Sequence, residues 1–280
     1  MLSSLIIVFR EVIEAGLIVG IVLAATKGVL HRSYWVSAGI AAGVAGALVV
    51  AAFAGELGAL FEGSGQELFN ATVLLLAIAM LTWHNVWMAG HGREMAREMR
   101  AMGAAVTAGQ RTLTALAVVV GVAVLREGSE VVLFLYGIAA QGGTTMSGLL
   151  TGGVLGLAAG AAISALMYYG LLAIPAHRLF AVTGWLITLL AAGMASQAAL
   201  FLQNAGYLQF WMMPLWDTSW LLADGDIAGR MLHTLVGYTD QPDGLQLAAY
   251  VVTVAVITAL MRTVHRPHRP APAAVVAPAE

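Results

Sequence analysis

Two short stretches of this chain place ionisable side chains where apolar ones belong. Residues 10–17 read Arg10-Glu11-Val12-Ile13-Glu14-Ala15-Gly16-Leu17, and residues 126–133 read Arg126-Glu127-Gly128-Ser129-Glu130-Val131-Val132-Leu133. Positions three and four apart share a helix face, so Arg10, Glu11 and Glu14 project together, as do Arg126, Glu127 and Glu130. Four carboxylates against two guanidiniums leave two negative charges uncompensated. Carboxylate oxygens are hard ligands suited to a hard, highly charged cation, and Arg can hold them apart and orient them bidentately. The set Glu11, Glu14, Glu127 and Glu130 is therefore expected to bind metal, with Arg10 and Arg126 as supporting ion pairs.

Two blander readings compete. Ion pairs could merely fix helix packing, although packing alone does not need four acids for two bases. Paired Glu can also do acid/base chemistry, but the chain has no HExxH, no G-x-S-x-G and no Asp pair in an apolar run, so no enzyme is expected. Weaker candidates lie outside the motifs. His84, with Asn85 and flanked by Trp83 and Trp87, is a candidate exit ligand near the end of its helix or else an interface residue. Glu67, Asp217, Asp224 and Asp226 are candidate ligands at the outer mouth. Met194, Met212 and Met213 are read as packing, and His233 is left unassigned.

The elements that hold these residues follow from composition. Of 280 residues, 60% are hydrophobic and 10% charged, with a mean hydropathy of +0.86; a soluble domain is about half apolar and a quarter charged. No cysteine is present, which excludes disulfides and thiolate metal sites. Nothing suggests nucleic-acid binding, and the surroundings expected are membrane lipid. Crossing a bilayer takes about 20 apolar residues. Suitable runs lie near 3–26, 34–60, 68–90, 113–140, 146–172, 178–203 and 246–264, so the predicted fold is all-α, a polytopic bundle of about seven transmembrane helices. The first run contains Arg10, Glu11 and Glu14 and is read as a retained helix, not a cleaved signal.

The two motifs fall in the first and fourth helices, and the second helix of each half carries glycines at four-residue spacing: Gly39 and Gly43, then Gly152, Gly156 and Gly160. Such spacing lets helices approach closely. Three helices per half implies a 3+3 inverted repeat plus a seventh helix. The expected organisation is a permease domain over 1–265: repeat one 1–92, repeat two 113–206, an outer loop 207–245 and the seventh helix 246–264. A disordered cytoplasmic tail of Pro and Ala follows over 266–280. The Arg-rich segment 92–111 is read as a short surface helix. Lys27, Arg32, Arg93, Arg97, Arg100, Arg111, Arg178, Arg262, Arg266 and Arg269 crowd one set of loops, which the positive-inside rule makes cytoplasmic; the N-terminus is then outside and the C-terminus inside.

The two Arg-Glu-x-x-Glu motifs, this seven-helix layout and the stretch Pro214-Leu215-Trp216-Asp217-Thr218-Ser219 followed by Gly237-Tyr238 resemble the oxidase-dependent iron permease family, which has fungal and bacterial members. The similarity covers nearly the whole chain. It implies iron uptake through a multi-pass protein of a bacterial inner membrane, with iron as substrate and no permanently bound cofactor. In several members the ion is ferric and comes from an extracytoplasmic oxidase or iron-binding partner, and the motif glutamates, here Glu11, Glu14, Glu127 and Glu130, are essential. The chain departs from the family at Val12, Ser129, Asn70 and Asn204; the last two stand where acids are frequent. Alternatives to a ferric permease are transport of ferrous iron, lead or manganese, or a non-transporting scaffold for a metal-handling or redox partner.

Overall fold

The computed structural model describes residues 1–59, 65–140, 145–170 and 176–264. These form eight helices, α1 (Leu2–Ala25), α2 (Arg32–Ala59), α3 (Gln66–Thr107), α4 (Leu113–Ala140), α5 (Met146–Tyr168), α6 (Ala176–Asn204), α7 (Ile227–Val236) and α8 (Gly244–Val264), and among the described residues the only β-pairing is one isolated bridge, Pro214 with Asp243. Five helices, α2, α3, α5, α6 and α8, contain segments long and apolar enough to cross a membrane. At 24 and 28 residues, α1 and α4 are no shorter, but each carries a charged triplet at its centre.

Several exposed faces are as apolar as the interior. Leu48, Val49 and Phe53 on α2, Leu150 and Val154 on α5, and Val251 and Val252 on α8 all face outward, a surface suited to lipid. Inside, the helices pair in a regular way: α1 runs against α5, α2 against α4, and α3 against α6, with α8 against α6. The glycine spacing explains two of these pairs. A Cβ on Gly156 would lie 2.5 Å from the Leu5 carbonyl oxygen of α1, and one on Gly43 would lie 2.7 Å from the Gly121 carbonyl oxygen of α4. The glycines of α5 and α2 thus lie on α1 and α4, the two helices that carry the charged triplets.

Two elements differ from the sequence expectation. The segment 92–111 is not a separate surface helix; α3 runs unbroken to Thr107, because no residue between Gly92 and Thr107 stops it. His84 of α3 sits beside Glu14 of α1, and the Thr107 hydroxyl donates to the Ala25 carbonyl at 3.1 Å. At 1.5 Å per residue that is roughly 35 Å along α3 but only about 17 Å along α1, so α3 takes the longer path between the two contacts. The second difference is in the outer loop, which contains α7 and ends at Gly244, where α8 begins. Asp243 and Gln246 cap α8 reciprocally: the Gln246 amide donates to Asp243 Oδ1 at 2.7 Å and the Asp243 amide to Gln246 Oε1 at 3.0 Å.

The loop is tied down by the residues of the Pro214–Ser219 and Gly237-Tyr238 stretches. The Thr218 amide donates to Asp240 O at 2.9 Å, and the Tyr238 hydroxyl donates to Leu222 O at 2.9 Å and meets the Thr218 hydroxyl at 2.7 Å. Gly237 ends α7 with φ +70, a conformation that costs glycine least, and its Cα would lie 2.7 Å from a Cβ on Gly193 of α6.

Two apolar clusters divide the interior. Ile7, Leu74, Phe134, Ile138 and Met194 belong to one, and Val22, Val36, Val106, Leu116 and Val120 form the other. In α1 and α4 the charged triplets fall between them along the chain.

Candidate metal site

Between the clusters, α1 presents Arg10, Glu11 and Glu14, α4 presents Glu127 and Glu130, and α3 presents His84. One ligand atom from each of Glu11, His84, Glu127 and Glu130 lies within 4.8 Å of the others, the only such group among the described residues. First-row metal bonds to such ligands, taking zinc as the guide, are about 2.0–2.2 Å. Opposite donors around one ion then stand roughly 4.2 Å apart, so a contraction of a few tenths of an ångström would close this set on a single cation.

His84 links the two motif helices. Its Nε2 lies 3.2 Å from Glu14 Oε2 and 3.8 Å from Glu11 Oε2, and its Nδ1 meets Glu130 Oε2. The placement corrects the expectation of an exit ligand near a helix end: α3 is 42 residues long, so position 84 falls near its midpoint, level with the motifs. Asn85, the next residue, fixes this turn. Its amide donates to Gly184 O and Thr188 Oγ1, both at 3.2 Å, and reaches Met261 Sδ at 3.8 Å, tying α3 to α6 and α8.

The two arginines are not equivalent. Arg10 is 2% exposed, with Nε 2.9 Å from Glu14 Oε1 and a guanidinium nitrogen 3.6 Å from Glu11. The Arg126 side chain is 36% exposed; its Nε lies 3.2 Å from Glu130 Oε1 and 3.9 Å from Glu127 Oε1. Its guanidinium also covers the Trp87 ring at 4.5 Å, a cation–π contact that holds the group beside the acids. Trp87 in turn stacks on His91 at 5.1 Å.

The acids are short of donors. Both carboxylate oxygens of Glu11 and one of Glu127 are shielded from solvent without a hydrogen-bond donor, and Glu130 Oε2 has only His84 Nδ1 against it. Leaving a buried charged acceptor unmatched costs more than the 1–3 kcal/mol of a neutral one, and the surrounding apolar clusters lower the local dielectric and raise that cost.

The other sequence candidates lie outside this group. Glu67 stands in the first turn of α3, seventeen residues before His84, with one carboxylate oxygen shielded and without a hydrogen-bond partner. Asp217 accepts from the Ser219 amide and hydroxyl at 2.9 and 2.6 Å and from Gln241 at 3.0 Å; these bonds, Ser219's first, hold its pKa below the ordinary value. Asp224 and Asp240 bond reciprocally, each carboxylate accepting the other's backbone amide at 3.2 and 3.1 Å. Partial burial, and then repulsion from Asp240, push the Asp224 carboxyl upward. Asp226 sits exposed at the N-cap of α7 without a side-chain capping bond. His233 Nδ1 donates to Tyr238 O at 2.7 Å.

The fold and the charged layer are those of a multi-pass helical membrane protein with a polar cluster sealed into its interior. The Iron permease FTR1 family matches residues 1–265, and the chain belongs to that family. It is 29% identical over 256 residues to the ferrous iron permease EfeU of Escherichia coli O6:K15:H31 (strain 536 / UPEC), covering 90% of this chain and 92% of that one. To the proteins of the same name from Shigella sonnei (strain Ss046) and Yersinia pestis it is 28% and 27% identical, each over 90% of this chain. No solved structure matches it. These relatives are permeases and not enzymes, and the chain is an iron transport protein of a membrane.

Proposed function

We propose that the chain carries ferrous iron, bound in transit by Glu11, Glu127, Glu130 and His84, with Glu14, Arg10 and Arg126 orienting that set. The observation that carries this reading is the group of buried carboxylate oxygens without donors, gathered from two helices around one imidazole. Charge favours a divalent ion over the ferric ion expected from oxygen ligands alone: four carboxylates and two guanidiniums sum to minus two, which a dication cancels. An imidazole donor points the same way, because nitrogen suits a borderline ion such as Fe(II) better than a hard one. The relatives' names, ferrous iron permease, agree.

The transport geometry we infer is an inverted repeat of α1–α3 and α4–α6 followed by α8, giving seven spans. The pairs α1 with α5, α2 with α4, and α3 with α6 map onto one another when the halves are exchanged, which supports the repeat. The Arg-rich end faces the cytoplasm by the positive-inside rule, in a bacterial inner membrane. Apolar clusters close both sides of the charged layer, so the ion passes as the halves shift about it.

The test is uptake into proteoliposomes of ferrous iron kept reduced, against ferric citrate and manganous ion. The parent should favour ferrous iron. His84→Ala should lower ferrous uptake by at least about tenfold, the lower bound for groups that tune a metal site, and should narrow its preference over manganous ion, which binds nitrogen less strongly. An unchanged ion preference would remove His84 from the site. In the outer loop, Asp224→Asn keeps an oxygen to accept the Asp240 amide and relieves the repulsion between the two acids, so uptake should stay within about twofold of the parent. A tenfold fall would make Asp224 a ligand on the way in.

A further inference from the structure

A cavity lies away from the charged layer. It has a volume of about 600 Å³ and opens between α1, α5 and the C-terminal end of α3, lined chiefly by Gly16, Gly20 and Ala24, by Ser164 and Tyr168, and by Arg100. Its size falls within the roughly 300–1,000 Å³ of small-molecule sites. We propose that it holds one anionic phospholipid of the Arg-rich leaflet, the acyl chain in the cleft and the phosphate on Arg100.

The walls decide against an ion path. Apart from Ser164 and Tyr168 the walls are glycine, alanine and apolar side chains, with no carboxylate for a dehydrated cation, and a cation leaving by this route would meet the Arg100 guanidinium. The same walls suit an acyl chain, which needs only contact. Gly20 makes room: a Cβ there has only Tyr168 nearby, at 3.8 Å. The Ser164 side chain packs into the notch left by Gly16 of α1.

The mouth supplies the charge. Arg97, Arg100 and Ala104 are spaced three and four apart and share a face of α3, and Ala104 lines the cleft. Glu98, two residues from Arg100, falls on the other side of the helix. Lys27, Arg97, Arg100 and Arg111 are all exposed at this end. A basic cleft between membrane helices is the general chemistry of anionic headgroup recognition.

The experiment is native mass spectrometry of the full chain purified in mild detergent, titrated with phosphatidylglycerol or phosphatidylcholine. The parent should retain phosphatidylglycerol at least about tenfold better. Arg100→Glu should abolish that preference, and Gly20→Leu, which fills the cleft, should abolish retention of either lipid. Ala24→Leu fills the same cleft and serves if Gly20→Leu does not yield folded protein. Arg111→Glu, at the same end but not in the cleft, should bind like the parent. Three results would overturn the site: equal retention of the two lipids by the parent, parental binding by the filled variants, or loss of preference in Arg111→Glu matching that in Arg100→Glu. Displacement of the lipid by millimolar inorganic phosphate alone would also overturn it, as the mark of a free-anion site.

Discussion

Glu11→Gln and Glu127→Gln are each expected to cut iron uptake by about 100-fold or more, with the protein still reaching the membrane in parental amount. Loss of a group that only supports a metal ligand typically costs about 10–100-fold in affinity or activity, so loss of a ligand itself belongs at or beyond the upper end. Glutamine keeps the shape and one oxygen, and it removes a charge from a set that already carries two surplus negatives, so folding is spared. Glu14 should behave differently. Its carboxylate holds the Arg10 guanidinium at 2.9 Å and the His84 ring at 3.2 Å, and removing one partner of a buried pair typically costs about 3–5 kcal/mol. Glu14→Gln should therefore lose both uptake and folded protein. The check is radio-iron uptake normalised to reconstituted protein; equal normalised uptake by Glu11→Gln and the parent would leave the cluster as packing alone.

Gly156→Val and Gly43→Val should each cut the yield of folded protein at least about five-fold. A Cβ at either position would stand 2.5–2.7 Å from a backbone carbonyl of the facing helix, and a backbone carbonyl in a long helix cannot swing aside. Overpacking a close-packed interior costs typically 1–3 kcal/mol, and here valine forces apart the pairs α1 with α5 and α2 with α4, which carry the charged triplets. A five-fold or greater fall in monodisperse protein after detergent extraction is the expected result. Gly153→Ala is the internal control, since a Cβ there meets only Val8 Cγ2 at 4.0 Å and should be nearly neutral. Equal recovery of Gly156→Val and Gly153→Ala would refute this packing.

The charged triplets were legible in the sequence because ionisable groups in an apolar run are costly and seldom accidental. The glycine rows were legible for a related reason: small residues at four-residue spacing imply close helix contact, and the structure supplies the partner for each row. His84 was visible only as a lone histidine between two tryptophans. Its place at the centre depends on how far α3 travels before meeting α1 and α4, a tertiary quantity with no local signal. Asn85 was hidden for the same reason, since its partners Gly184, Thr188 and Met261 lie about 100 or more residues away. The unbroken run of α3 through the Arg-rich segment was misread because charge signalled a surface element, whereas the backbone responds to the absence of a helix stop. In the outer loop, Asp226 before Ile227 and Gly237 after Val236 do mark the ends of α7, but ten residues between acidic stretches give a weak periodic signal.

Anomalous scattering at the iron edge, from crystals of the protein soaked in ferrous iron without oxygen, tests the central claim most directly. A single strong peak enclosed by Glu11, Glu127, Glu130 and His84 is the predicted result. An empty charged layer, with iron found only among the outer-loop aspartates, would contradict it.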